Sequence, residues 1–539
     1  MGNKLLLKDC LFLMNENAKV GIIGRNGTGK TTLFRLITGE DTDFLGQIEQ
    51  RKGVRILLSK QEHFDVEHLT PLEYVMSSLP RFEELKGIMD AYESGADTSE
   101  EALHAYSDAE HEFSRRSYYG IDERILSGLE QYGIDVDRSM SPLKHLSGGQ
   151  KRFMELVRLS FSEADLILLD EPTNHMDYVG KAHFIKWLKN TKDAVCVISH
   201  DRDVLEVVDD MIELKDQQLH KFKGNYAAYL KQNGLQTITN VMSYEESLKR
   251  LDKLHVQWME ARRRKLMAKS DSGRNNAKTQ ELRFEREYTE LKESMNKPSF
   301  WIDKETLAET NEKLTKGYHK YKTKNIRVGT KGLDEHEHTL MTVTDMSLGY
   351  GEHRLFSSIS FSLDHGDRIQ VKGRNGAGKT TLIRSILANY YDHPTPVTTF
   401  HGSMKFSKQL RIGVYEQEVD PKYLTWELGV AVSELYYERG QTLTDQGLKQ
   451  VLSSYLFDPI GDAKLRIDQL SGGQRARFQL IRMLCAQPNL LILDEPTNHL
   501  DLPSIEELEK ALTNYQGAIL YISHDSYFVR GLGGETIVI

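Results

Sequence analysis

The run GRNGTGKT sets glycines at Gly24, Gly27 and Gly29 ahead of Lys30 and Thr31, and the same order returns at Gly373, Gly376, Gly378, Lys379 and Thr380. Glycines let backbone N–H groups converge on phosphate oxygens with no Cβ in the way. A lysine at that spacing meets the β- and γ-oxygens, and the next hydroxyl is a ligand for Mg²⁺. Asn26, Thr32, Asn375 and Thr381 complete the two loops. Each loop follows a strand-like apolar run and opens a helix-like one, the context in which the pattern has chemical meaning.

Two carboxylate pairs stand downstream. LILLD and LLILD are continuous apolar runs, the mark of a strand buried on both faces of a parallel sheet, and they end in Asp170 and Asp494. An aspartate at that strand end helps to hold Mg²⁺. Glu171 and Glu495 follow directly, where a carboxylate can polarise an attacking water.

These groups are positioned by a duplicated unit. From Ser147 of LSGGQ to Asp170 is 23 positions, as it is from Ser471 to Asp494; Glu171 to His200 and Glu495 to His524 are both 29. The duplication places one domain at roughly 1–230 and its copy at 336–539. From Gln61 to Ser147 is 86 positions against 54 from Gln417 to Ser471, and the surplus, at about 80–120, reads as a short helical hairpin. Between the copies, 231–335 carries Leu248, Leu251, Leu254 and Trp258, then Leu282, Tyr288, Leu291 and Met295, at helical steps amid charge. That predicts two long helices folded back at KSDSGRNNAK, where Gly, Ser and Asn end helices.

Composition limits the function classes. The chain has 539 residues, too many for one ordinary core, and its net charge of −9 confines any nucleic-acid contact to a local patch. One such patch is at hand. From Trp258 to Arg283, the cations Arg262, Arg263, Arg264, Lys265, Lys269, Arg274, Lys278 and Arg283 face only Glu260, Asp271 and Glu281, an excess of five that suits a phosphate backbone. No apolar run reaches the length that crosses a bilayer, so a cytoplasmic protein is expected. The opening residues fit a strand better than a signal peptide, and Cys10, Cys196 and Cys485, far apart in apolar contexts, read as buried thiols.

GRNGTGKTT, LSGGQ, LLDEPTNHMD and VISHD, in that order and twice, resemble ATP-binding cassette domains, over about four fifths of the chain. The resemblance implies an α/β fold in which two cassettes meet head to tail within one chain, hydrolysing ATP with Mg²⁺. Ser147 and Gly149 then complete the site on Lys379, and Ser471 and Gly473 the site on Lys30. It also assigns Gln61 and Gln417 to the Mg²⁺ and water shell, His200 and His524 to the γ-phosphate, and Tyr350 to adenine. The first copy has no equivalent of Tyr350 or of the strand before it. Either the gene starts further upstream, or that site holds adenine more weakly.

Two cassettes, no membrane span and a charged hairpin between them resemble the ABC-F proteins. Membership implies binding to the ribosome near 23S rRNA and the P-site tRNA as a monomeric chain, with the hairpin acting near the peptidyl-transferase centre. The reading taken is ribosome protection against antibiotics; the alternative is a housekeeping translation factor. A transporter ATPase subunit or a DNA-repair ATPase is the alternative of another class; the helical hairpin between the cassettes argues against the first, and the lack of long coiled coils or zinc-binding cysteines within a cassette against the second.

Overall fold

The computed structural model describes residues 5–59, 66–95, 99–174, 176–267, 271–294, 339–415, 419–455, 457–470, 472–498 and 500–539. They fall into two compact units: Met1–Asn225 with Asn325–Ile539, which holds both copies of the repeat, and Tyr226–Lys324.

Each copy is an α/β unit on a mostly parallel sheet. The first orders β2 (Ile56–Leu58), β3 (Leu166–Asp170), β4 (Ala194–Ile198), β1 (Lys19–Gly24), β5 (Asp210–Lys215) and β6 (Gln218–Lys223), with only β6 antiparallel. The second repeats this as β11 (Ile412–Tyr415), β12 (Leu490–Asp494), β13 (Ala518–Ile522), β9 (Arg368–Lys372) and β14 (Glu535–Val538). The apolar runs have the expected cause. Ile167, Leu168 and Leu169 are fully enclosed, and each such side chain contributes ~1.5–3 kcal/mol by leaving water. Registers Asp170↔Ile198 and Ile22↔Ile198 bring the carboxyl ends of β1, β3 and β4 to one edge, where open parallel sheets bind ligands.

In the second copy β7 (Thr339–Tyr350) lies between β8 (His353–Asp364) and β10 (Thr398–Phe406) in an antiparallel sheet. Residues 5–18, the sequence counterpart of β8, form no strand, which corrects the expectation for the start of the chain. The counterpart of β8 finds no ladder partner, because the described residues of the first copy contain nothing in the place of β7. Leu11 and Leu13 stay in water, 91% and 73% exposed, while Leu7, Phe12 and Met14 pack partly buried against the core of the first sheet. Cys10 belongs to this stretch and is exposed, so it is not a core thiol, whereas Cys196 and Cys485 are buried.

The surplus residues of the first copy form helices Phe82–Glu93 and Glu100–Arg115, pinned by Tyr92 against Tyr106 at 4.8 Å. In the other unit, helix Tyr226–Met267 runs alongside Asp271–Ser294. The second helix begins before Gly273, so GRNNAK is helical and does not form the turn; residues 268–270, between the two helices, lie outside the described residues. Leu254, Ala261 and Ala277 are buried, and His255, Trp258 and Tyr288 form a ring cluster with centroids 5.7–6.0 Å apart. Leu282 is 56% exposed and leaves the seam to Glu281, Phe284 and Tyr288, each partly buried. The helical phase explains this, since 277, 281, 284 and 288 share one face and 282 is turned from it by about 100°.

Candidate nucleotide sites shared by the two cassettes

The two glycine-rich loops are built alike. Gly27 and Gly29 adopt φ of 79° and 106°, and Gly376 and Gly378 adopt 82° and 103°, a region that L side chains avoid. Gly29 and Gly378 cap helices Lys30–Thr38 and Lys379–Tyr391, turning helix N-termini toward the loops. Lys30 Nζ donates to the carbonyls of Gly24 (2.7 Å) and Arg25 (3.1 Å), and Lys379 Nζ to those of Gly373 (2.9 Å) and Arg374 (3.1 Å). Both ammonium groups are buried, and desolvation lowers both pKa values.

The carboxylates arrive from the adjoining strand. Thr31 Oγ1 donates to Asp170 Oδ2 at 2.6 Å, and a Thr380 hydrogen bond to Asp494 matches it. Hydroxyl and carboxylate oxygens are the hard donors that Mg²⁺ takes, with phosphate oxygens and water filling its shell, so this pair fits the ion. Gln61 and Gln417 lie outside the described residues. Glu171 and Glu495 sit at φ of 47° and 45°, a strained conformation for glutamate, held by N–H bonds to Ile198 O (2.9 Å) and Ile522 O (3.0 Å). In each, Oε1 is buried with no hydrogen bond and a histidine Nε2 close by: His200 at 3.4 Å and His524 at 3.3 Å. Burial pushes the Glu171 carboxyl up to about 8 and Glu495 to about 7, and pulls His200 down to about 3 and His524 to about 4. Each pair is thus a buried carboxyl beside a neutral imidazole, with one carboxyl oxygen left without a hydrogen bond.

The copies face each other. A cavity of about 1470 Å³ is lined from both, by Lys30, Thr31, Asp170, Glu171 and His200 of one and by Thr380, Asp494, Glu495 and His524 of the other. Asn26, Gly27, Gly29, Thr32, Asn375 and Gly376 line it too, as do Ser147 and Gly149. A Cβ on Gly149 would stand 3.5 Å from Asn375 Nδ2, so the first LSGGQ turn abuts the second glycine-rich loop. Ser147 caps helix Gly148–Phe161 by accepting from Gln150 N, and its own N–H donates to the Gln150 side chain. Ser471 lies outside the described residues; Gly473 stands in the first turn of helix Gly472–Leu484. Tyr350 closes β7 outside the shared cavity, 38% exposed, its hydroxyl 3.3 Å from Thr381 Oγ1.

Sequence reasoning passed over the aspartates that close the DEPTNHMD and DEPTNHLD motifs. The Asn375 N–H donates to Asp177 Oδ2 at 3.1 Å, and the Asn26 N–H to Asp501 Oδ2 at 3.2 Å. The same six-residue step from Glu171 to Asp177 and from Glu495 to Asp501 was the available signal.

In the hairpin, Arg262, Arg263 and Lys278 are exposed, while Arg264 pairs with Glu260 at 3.7 Å. Lys265 is engaged by Glu281 at 2.6 Å. Lys269 lies outside the described residues, as does the side chain of Arg274. No described helix is long and apolar enough to cross a membrane.

The chain matches the family described as ABC transporter over residues 7–174 and again over 356–498. It is 29% identical to the ribosome protection protein VmlR of Bacillus subtilis, over 99% of this chain and 85% of that one. It is 27% identical to the energy-dependent translational throttle protein EttA of Mycobacterium tuberculosis, over 98% and 87%. Among solved structures, an archaeal ribosome recycling factor, aABCE1 in complex with the stalk protein aP1, superposes with a TM-score of 0.56 at 16% identity, covering 98% of this chain and 84% of that one; this likeness concerns the fold.

Proposed function

The chain belongs to the ABC transporter family as a tandem pair of cassettes of the ABC-F kind and hydrolyses ATP, and from that premise we infer that it is a nucleotide-driven clamp acting on the ribosome. The observation that carries the clamp is the crossing of groups between copies: Gly149 against Asn375, and Asp177 and Asp501 each on the other copy's loop. A site completed by both copies ties the bound nucleotide to their closure.

In this reading Lys30 and Lys379 hold the β- and γ-phosphates, and Thr31 with Asp170, and Thr380 with Asp494, would hold Mg²⁺, which when bound would supply positive charge beside the phosphoryl oxygens. Glu171 and Glu495 take a proton from the attacking water as its oxygen bonds to the γ-phosphorus and the bond to the ADP oxygen breaks. His200 and His524, neutral, orient the γ-phosphate by hydrogen bonding. Gln61 and Gln417 complete the ion and water shell, and Tyr350 meets adenine at the second site.

The basic hairpin is the part that meets RNA phosphate, through Arg262, Arg263, Arg264 and Lys278, together with Lys269 and Arg274. Support for a ribosomal target comes from VmlR, a ribosome protection protein, and EttA, a translational throttle, both matched over nearly the whole chain. Between those two we take ribosome protection. Leu266 and Met267, 76% and 66% exposed, give the basic turn an apolar tip, the chemistry that displaces a small apolar ligand lodged in RNA.

The test is co-sedimentation of the Glu171→Gln/Glu495→Gln variant with ribosomes. ATP-dependent pelleting is expected; a protein left in the supernatant with both ATP and ADP overturns the ribosomal target. Protection of drug-inhibited translation by the wild-type chain, lost in Leu266→Ala/Met267→Ala, is the expected result for the finer reading.

A further inference from the structure

Tyr350 aside, the two ATP sites are alike in the groups discussed so far, but the contacts that join their histidine loops are not. Lys181, in helix Tyr178–Asn190 of the first cassette, is 8% exposed. Its Nζ lies 2.8 Å from Asp201 Oδ2 and 3.6 Å from Asp203 Oδ2, and donates to the carbonyl of His524 at 2.7 Å. An ammonium has three protons, and here three acceptors surround it. Asp201 directly follows His200, so a single buried cation touches the loop of the first switch histidine and the backbone of the second.

The repeat makes the asymmetry plain. The residue of the second cassette that matches Lys181 is Ile505, a 2% exposed core residue with no polar atom to offer the His200 loop. Neighbouring contacts are one-sided in the same sense. Arg202 Nη2 meets Glu509 Oε1 at 2.9 Å, Ser526 Oγ donates to Asp203 Oδ1 at 2.6 Å, and Tyr527 OH donates to Glu206 Oε1 at 3.1 Å. Their repeat equivalents cannot rebuild the pattern, since Arg202 matches Ser526 and Glu509 matches Ile185.

We propose that Lys181 is a positioning residue that couples the two ATP sites: it ties the loop of His524 to the loop of His200, so that the state of the first site sets the geometry of the second. Loss of γ-phosphate contact at His200 moves Asp201, and Lys181 carries that displacement to the carbonyl of His524. Because Ile505 offers no matching bridge, the two sites are inequivalent. Binding linkage through Lys181 is reciprocal, as any coupling free energy must be, but the second site's switch is the one held by it.

The inference rests on ATP hydrolysis and not on the ribosome, so it is tested on the isolated chain. Removing Lys181 alone leaves Asp201 buried and unpaired, a strongly destabilising change, so the test variant is Lys181→Met/Asp201→Asn, which removes both charges. Two quantities are read: turnover, and labelled ATP retained per chain after gel filtration. In the wild-type background, Glu171→Gln is expected to slow turnover at the second site by about fivefold or more and to raise retention there. In the Lys181→Met/Asp201→Asn background, the same substitution is expected to change either readout by less than about twofold. Lys181→Arg, which keeps the cation and its donors, is expected to restore the coupling. The proposal is overturned if Glu171→Gln leaves the second site unchanged in the wild-type background, if its effect survives in the double variant, or if Lys181→Arg behaves like the double variant at equal thermal stability.

Discussion

The main-chain N–H of Asn375 donates to Asp177 Oδ2 at 3.1 Å across the cassette boundary, and the Asn26 N–H makes the matching bond to Asp501 at 3.2 Å. Each aspartate also caps a helix, accepting from Gly180 N or Ser504 N at its other oxygen. One carboxylate thus fixes a helix start in its own cassette and a phosphate loop in the other.

The two roles separate by substitution. Asp177→Ala and Asp501→Ala should each cost about 1 kcal/mol of stability through the lost cap. Asn at either position keeps a capping oxygen and removes the charge, so the thermal midpoint should hold while ATP affinity falls by about tenfold. Differential scanning fluorimetry beside nucleotide titration checks both.

Replacing Glu171 and Glu495 by Gln removes both proton acceptors while keeping side-chain volume. Steady-state phosphate release should fall by about 10² or more, the usual contribution of a general base, with ATP binding intact.

Burial raises Glu171 to about 8 and Glu495 to about 7, and the working form is the ionised one. kcat/KM, which reports the free enzyme, should therefore rise with pH from 6 to beyond 8. The histidines, pulled to about 3 and 4, stay neutral throughout and should add no inflection near their ordinary value. The residual rate of the double Gln variant should be flat over that range.

Thiol titration of the native protein should label Cys10 at once and spare Cys196 and Cys485, which are buried and whose pKa values burial raises. All three should react after denaturation.

Gly413 in β11 has no room for a methyl group: a Cβ there would stand 2.7 Å from Met483 O and 2.8 Å from Pro488 Cγ. Gly413→Ala should cost about 1–3 kcal/mol by overpacking, seen as a lower thermal midpoint.

Much of the machinery was legible because its signals are local. A glycine-rich turn between strand and helix, or an apolar run ending in Asp170, draws its meaning from a dozen neighbouring residues, and duplication supplied each motif with a second instance. The start of the chain misled for the opposite reason: 5–18 has the composition of a strand, but a strand needs a ladder partner, and β7 has no described counterpart beside it. Cys10 followed the same fate. Spacing at helical steps puts both Leu282 and Tyr288 on the apolar face, but the helix phase set by Ala277 leaves Leu282 outside and places Glu281, Phe284 and Tyr288 at the seam.

By itself the sequence determined the fold class, the tandem repeat and the identity of the groups that grip phosphate and place a carboxyl beside it, since all of these depend on short-range pattern. Only the tertiary structure decided that Asp177 and Asp501 each bond the other cassette's loop, the left-handed backbone at Glu171 and Glu495, and the bridge from Lys181 to His524 across 343 positions. Contacts between surfaces so far apart in the chain leave no periodicity to read. They exist only once both sheets have formed and set their loops against each other.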